Sequence, residues 1–334
     1  MFREASEGSA AVTRFLEANS LSIARIAARL KANPPRSVTT CARGSSDHAA
    51  TYGKYLIETL IGIPTSTAAL SVSSIYAASV VADNTLVIAI SQSGRSPDLL
   101  TSVKAHKDAG AFVVALVNDA TSPLAELADE ALPLMAGPEL SVAATKSYIV
   151  SLAGFAALVA EWADDAALKA GLRLLPERLK EAFLLDWSDT LPVLQSANNL
   201  FVIGRGYGYG IAQEAALKLK ETCALHAESF SAAEVRHGPM AIVQEGFPVI
   251  AFATSDAAGD GVRDVSREFL SRGARVALAD ASGEMGNLPA LQFEPALEPI
   301  LFIQSFYRFA NSLSLLRGLD PDAPPHLNKV TKTV

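Results

Sequence analysis

Three groups of residues carry types and spacings that could do chemistry. The first lies in "ISQSGRSPD", where Ser91, Gln92, Ser93 and Ser96 surround Gly94 directly after the apolar run "TLVIA". Hydroxyls and unpaired backbone N–H groups ahead of a helix N-terminus suit a phosphate, because the amides and the helix dipole both attract negative charge. A plainer reading competes, with Ser96 as N-cap, Pro97 as the first helical residue and Asp98 favourable to the dipole. Capping accounts for Ser96 and Pro97 but gives Ser91, Gln92, Ser93 and Gly94 no task. No Gly-Lys-Ser/Thr ending follows, which disfavours a nucleoside triphosphate and leaves a monophosphate as the matching anion. In "CARGSSDHA", Gly44 permits a close backbone approach, while Ser45 and Ser46 fit either N-cap chemistry or a ligand contact.

The second group sits in "GIAQEAALKLKET", where Glu214, Lys218 and Glu221 fall at i, i+4 and i+7 and share one helix face. Such a face reads either as a solvated ladder of ion pairs or as a carboxylate base kept in its charged form by a lysine. The third group is His237 in "RHGP", where Gly238 and Pro239 stop a helix and expose the imidazole on a turn. A loop histidine is either plain surface or a proton shuttle working near neutral pH. His48, His106, His226 and His326 show no ligand spacing, so no metal is expected, and His226 is read as structural. The Pro-rich tail "PDAPPHLNKVTKTV", with Lys329, reads by composition as frayed.

Elements that could position these groups alternate along the chain. Short β-rich runs such as "SVTTCA", "TLVIAI" and "FVVALV" are separated by Ala/Leu-rich stretches of helical period, the pattern of βαβ units around a parallel sheet. The pattern then repeats. "CARGSSDHAATYGKYLIET" aligns with "IGRGYGYGIAQEAALKLKET", placing Arg43 and Gly44 opposite Arg205 and Gly206, and "LVIAISQSG" aligns with "PVIAFATSD" at the same offset. The expected fold is α/β: two tandem doubly wound domains, each a parallel sheet flanked by helices, with ligands at the carboxyl ends of strands. The expected partition is an N-terminal helical segment (1–36), a first domain (37–165), a helical linker (166–194), a second domain (195–320) and a tail (321–334). Where the first copy has Ser91, Gln92, Ser93 and Gly94, the second has Ala253, Thr254, Ser255 and Asp256. The second loop lacks one hydroxyl and gains a negative charge, so it is not expected to bind an anion.

With 334 residues, 50% hydrophobic and 19% charged, the chain can bury a large core. A net charge of −7 without a basic patch argues against a nucleic-acid or anionic-membrane partner. No apolar run reaches membrane-spanning length, and the start "MFREASEGSAAVTRFLEANS" lacks the apolar stretch of a secretory signal. Cys41 and Cys223 are too few for a disulfide framework, so a reducing cytoplasm is expected and both should be buried as small apolar groups.

The motifs "ARGSSDHA", "SQSGRSPD", "ELSVAATKSY", "LKLKETCALHAESF" and "EVRHGPMAIV", met in that order, resemble the tandem sugar isomerase (SIS) domains of the glucosamine-6-phosphate synthase family. The resemblance implies that Ser91, Gln92, Ser93 and Ser96, with Gly44, Ser45 and Ser46, contact a sugar phosphate. It implies that Glu221 moves a proton between C1 and C2 of the open-chain sugar beside Lys218. It further implies that His237 opens the ring from the partner subunit of a homodimer, and that Lys329 opens or holds the sugar. Val142 and Ala144 match sugar-lining positions; the family has a serine where this chain has Ala144, so one hydroxyl contact is lost. No organic cofactor is implied.

The family's glutaminase half, with its N-terminal Cys, has no counterpart in "MFREASEG". Glutamine-dependent synthesis by this chain is therefore not expected, although a glutamine–fructose-6-phosphate transaminase label could attach to it by similarity. The expectation is a glucosamine-6-phosphate deaminase yielding fructose 6-phosphate and ammonia. A galactosamine-6-phosphate deaminase/isomerase and a fructosamine-phosphate deglycase share every motif. A non-catalytic sugar-phosphate sensor is the alternative of another class, disfavoured because Glu221, His237 and Lys329 occur together and no basic helix-turn-helix precedes residue 37.

Overall fold

A computed structural model describes residues 1–329. Residues 330–334 of the expected tail lie outside the described residues. The described strands are β1 (Ser37–Cys41), β2 (Thr65–Thr67), β3 (Thr85–Ser91), β4 (Phe112–Val117), β5 (Glu130–Pro133), β6 (Asn199–Gly204), β7 (His226–Ser231), β8 (Pro248–Ala253) and β9 (Arg275–Asp280). They form a five-stranded sheet in the order β2-β1-β3-β4-β5 and a four-stranded sheet in the order β7-β6-β8-β9. Every strand pair in both sheets is parallel. The expected α/β fold with two doubly wound parallel sheets is the fold observed.

Parallel strands are covered on both faces and so read as unbroken apolar runs. All of β3 is buried, and Val87 and Ala89 pack with Leu99, Val103, Val113, Ala115 and Leu124. In the other sheet, Val249 and Ala251 of β8 pack with Ile203, Val262, Val265 and Phe269. The starts of β1 and β6, Ser37 and Asn199, differ by 162 positions, which is the repeat offset read from the sequence. In each sheet the chain goes from the first strand to one side, then returns to the other. That reversal creates a crevice between β1 and β3, and another between β6 and β8, where doubly wound sheets receive ligands.

Packing divides the chain differently from the linear partition. One compact unit holds Ala10–Glu139, Lys146–Leu172 and the segment beginning at Asn328; the other holds Met1–Ser9, Leu140–Thr145 and Arg173–Leu327. The 1–36 segment is split because its parts bond to different sheets' surroundings. Asn19 donates to the Pro133 carbonyl and Arg25 pairs with Glu130, whereas the Ala5 carbonyl accepts from Gln304.

Candidate functional site

The loops after β1 and β3 leave the first sheet side by side, since Cys41 pairs in register with Ala89. After β1, Gly44 is the N-cap of the Ser45–Leu60 helix with φ 54° and ψ −133°. No atom lies within 4 Å of where its Cβ would be, so the glycine serves the backbone conformation rather than a tight contact. Ser45 and Ser46 are therefore the first helical residues, not the N-cap, and both are half-buried.

After β3, Ser96 does occupy the N-cap of the Pro97–Asp108 helix, with Pro97 next in line. Its hydroxyl, however, caps nothing. The Leu99 amide, which an N-cap hydroxyl would take, donates instead to Asp98 Oδ1 at 2.8 Å. The Ser91 hydroxyl accepts the Gly94 N–H at 2.9 Å and so closes the turn on itself. Gly94 has φ +63°, and a Cβ there would stand 2.2 Å from Ser122 Oγ, so this position admits only glycine. The side chains of Gln92, Ser93 and Ser96 are half-buried and make no hydrogen bond to another described residue. Arg43, leaving β1, donates Nε and Nη2 to Asp98 Oδ2 at 3.0 and 2.8 Å, and Asp98 is fully buried. One guanidinium thus ties the "RGSS" loop to the start of the helix behind "SQSG".

The corresponding loop after β8 is closed by acid groups. Asp256 is the N-cap of the Ala257–Ser271 helix and accepts the Gly259 N–H at 3.2 Å and the Thr254 hydroxyl at 2.6 Å. The difference between the repeats expected from their residues is therefore present in their hydrogen bonding.

The Tyr209–Cys223 helix brings the Glu214, Lys218 and Glu221 side chains together, but not as a solvated ladder. Glu214 and Lys218 are 0% and 1% exposed, and Glu221 is 22% exposed. Lys218 Nζ lies 2.5 Å from Glu221 Oε2 and 3.4 Å from Glu214 Oε1, while the Tyr307 hydroxyl donates to Glu214 at 3.1 Å. Burial alone would lower the Lys218 pKa, yet the two carboxylates outweigh it and raise the value above an ordinary lysine's. The ammonium is therefore held charged in the interior, with one carboxylate behind it and one toward solvent.

His237 follows a short 3-10 turn, Glu234–Arg236, and is exposed, as its neighbours Gly238 and Pro239 suggested. His226 is exposed at the start of β7, which does not fit the structural role expected of it. Lys329 Nζ lies 3.4 Å from Glu139 Oε2, and Glu139, buried, also accepts the Ser147 amide and hydroxyl. The tail is thus tied at Lys329 rather than frayed there. Val142 and Ala144 are half-buried, and the Val142 amide donates to the Asp322 carbonyl at 3.1 Å.

By unit, Gly44, Ser45, Ser46, Ser91, Gln92, Ser93, Ser96 and Lys329 belong to one, and Val142, Ala144, Lys218, Glu221 and His237 to the other. The residue types foretold Asp98 only as a partner of the helix dipole and missed its pairing with Arg43, although Arg43 stood in the repeated "RG". Sequence reasoning also missed Glu139 inside the quoted "ELSVAATKSY", and Tyr307, for which no local signal existed. Both cysteines are buried as expected, and burial pushes the Cys41 thiol up to about 12 and the Cys223 thiol up to about 11. Among the described residues, no three His, Cys, Asp or Glu side chains are placed to hold a metal, and no helix is long and apolar enough to cross a membrane.

Residues 33–161 and 193–283 match the SIS domain. A glutamine–fructose-6-phosphate aminotransferase (isomerizing) of Methanothermobacter thermautotrophicus is 36% identical over 298 residues, covering 86% of this chain and 50% of the relative. The chain spans about half the length of the curated relatives it matches. A protein of Silicibacter pomeroyi DSS-3, named only as a candidate phosphosugar isomerase, has a TM-score of 0.91 at 42% identity, covering 96% of this chain and 99% of that one. The C-terminal domain of a glucosamine-fructose-6-phosphate aminotransferase from Francisella tularensis has a TM-score of 0.85 at 25% identity, covering 96% and 97%. Repeated topology, repeated switch-point loops and a match over both repeats lead to one assignment: the chain belongs to the SIS domain family, with the domain present twice.

Proposed function

We propose that this chain is an aldose–ketose isomerase for an amino-sugar phosphate, and that its reaction is deamination of glucosamine 6-phosphate to fructose 6-phosphate and ammonia. The observation that carries this reading is the buried Lys218 cation set against the Glu221 carboxylate, which is 22% exposed. A carbon-acid proton needs a positioned base, and the buried Lys218 ammonium fixes the Glu221 carboxylate at 2.5 Å.

The substrate phosphate is assigned to Ser91, Gln92, Ser93 and Ser96 with the amides of their loop, and to Gly44, Ser45 and Ser46. Phosphate binding remote from the reacting carbons can orient them without being altered itself. His237, supplied by the partner in a homodimer, moves the proton that opens the ring, and Lys329 holds the open chain, with Val142 and Ala144 beside the sugar. Glu221 removes the C2 proton; the C2–H electron pair forms a C1–C2 double bond as the C1 carbonyl oxygen takes up a proton, giving an enolamine. Return of the proton to C1 draws the nitrogen lone pair into a C2–N double bond, with loss of one N–H proton leaving a C2 imine. Water adds to that imine, the C2–N bond breaks and ammonia leaves. Deamination asks the protein for an anion cradle and a base, the groups assigned above. Two buried free thiols fit a reducing compartment, and the cytoplasm is the proposed location.

The test incubates the purified protein with glucosamine 6-phosphate, galactosamine 6-phosphate and fructosamine 6-phosphate and measures ammonia. Release from the first supports the reading, and release from another reassigns the substrate. No ammonia from any of them, with sugar phosphate still bound, overturns catalysis in favour of a sensor.

A further inference from the structure

The two repeats carry the same loop at the same point of the sheet, yet satisfy it differently. Ser93 and Ser255 are equivalent by the 162-residue offset, each standing just beyond a central strand. Ser93 has no side-chain partner among the described residues. Ser255 donates its amide to Glu298 Oε2 at 2.7 Å and its hydroxyl to Glu298 Oε1 at 2.7 Å, and the Phe293 amide donates to Oε1 at 3.0 Å. Glu298 is 0% exposed. Two amides and a hydroxyl thus converge on a buried carboxylate, the kind of donor set that a phosphate oxygen takes at such a loop.

The element supplying this carboxylate also has a counterpart. Glu298 opens the Glu298–Leu316 helix, which follows the last strand of its sheet and packs on the Tyr209–Cys223 helix. In the other unit, the Lys146–Ala163 helix follows β5 and packs on the Ser45–Leu60 helix. Its first residue, Lys146, is 2% exposed. Equivalent helix starts therefore bury an anion in one repeat and a cation in the other.

We propose that the Thr254–Asp256 loop is a phosphate cradle occupied by the chain's own Glu298, making the second repeat a latent site for inorganic phosphate or a phosphate monoester. A tethered carboxylate at contact distance has the advantage of an intramolecular partner over free anion. Asp256, in the place of Gly94, adds like-charge repulsion against a dianion. The duplicated fold accordingly offers two loops but leaves one of them open.

The experiment titrates inorganic phosphate by calorimetry into the parent protein and into an E298A/D256G variant, which removes the plug and restores the glycine. The variant should bind one additional phosphate per chain, and adding S255A should abolish that gain. The increment is read relative to the parent, so it does not depend on whether the Ser93 loop binds phosphate. A folded variant with no additional site overturns the proposal, as does an additional site that survives S255A. Should the double variant not fold, E298A alone is heated with and without phosphate. A rise in its thermal midpoint larger than the parent's supports the proposal, and an equal response overturns it.

Discussion

Replacing Lys218 by methionine keeps the aliphatic stem but deletes the charge that Glu214 and Glu221 share. Glu214 is then a fully buried carboxylate with the Tyr307 hydroxyl at 3.1 Å and no cation at 3.4 Å. Removing one partner of a buried ion pair costs about 3–5 kcal/mol. Glu221 is 22% exposed and can regain some hydration, which places the expected loss near the lower end, about 3 kcal/mol. The assay is urea unfolding, fitted with two transitions because the chain holds two compact units. A buried carboxylate without its counter-ion binds a proton more readily than in the unfolded chain, so the deficit should shrink as pH falls from about 7 toward 5. The paired change K218M/E214Q removes the stranded charge and should recover most of the loss. A deficit below about 1 kcal/mol, or one indifferent to pH, would refute the account of a buried triad held by Lys218.

Glu221→Gln should lower kcat by about 10²–10⁴-fold while leaving sugar-phosphate affinity nearly unchanged; turnover near the parent's removes Glu221 as the base. Ser93→Ala should raise KM by about five- to tenfold with little effect on kcat, the loss of roughly one hydrogen bond to an anion, and an unchanged KM counts against the phosphate loop. Iodoacetamide at pH 8 should leave Cys41 and Cys223 unmodified in the native protein, since their thiols are held up at about 12 and about 11, and should label both after unfolding. The raised Lys218 pKa stabilises the fold fully below the ordinary lysine value of 10.5 and is lost as pH climbs through the higher folded value. Alkaline titration of the parent should therefore show a falling stability limb above pH 10.5 that is shallower in K218M.

Much of the fold was legible because strands covered on both faces leave unbroken apolar runs, as in "TLVIAI" and "FVVALV". The short edge strands Thr65–Thr67 and Glu130–Pro133 left no such trace, being brief and mixed in polarity. The loop residues declared themselves by type, since hydroxyls beyond those needed for capping stood out between a strand and a proline. Which group caps did not, because Asp98 and Ser96 are both competent and only backbone geometry decides between them. The face shared by Glu214, Lys218 and Glu221 followed from spacing. That it is buried depends on tertiary packing, in which Tyr307 reaches Glu214 from 93 positions away. Glu298 was hidden for the same reason, lying 43 positions from the serine it holds.

The interleaving of the two compact units bears on how the chain is made. The unit built on β1–β5 draws on residues from Ala10 onward and on the segment beginning at Asn328, while the other unit needs Met1–Ser9. Domains commonly fold as they leave the ribosome, amino-terminal first. Here the first sheet can assemble early, but its unit is completed only when Lys329 has emerged to meet Glu139. Completion of that unit thus waits until the segment from Asn328 has been made, and because the two units are interleaved along the sequence no single proteolytic cut can release either one whole.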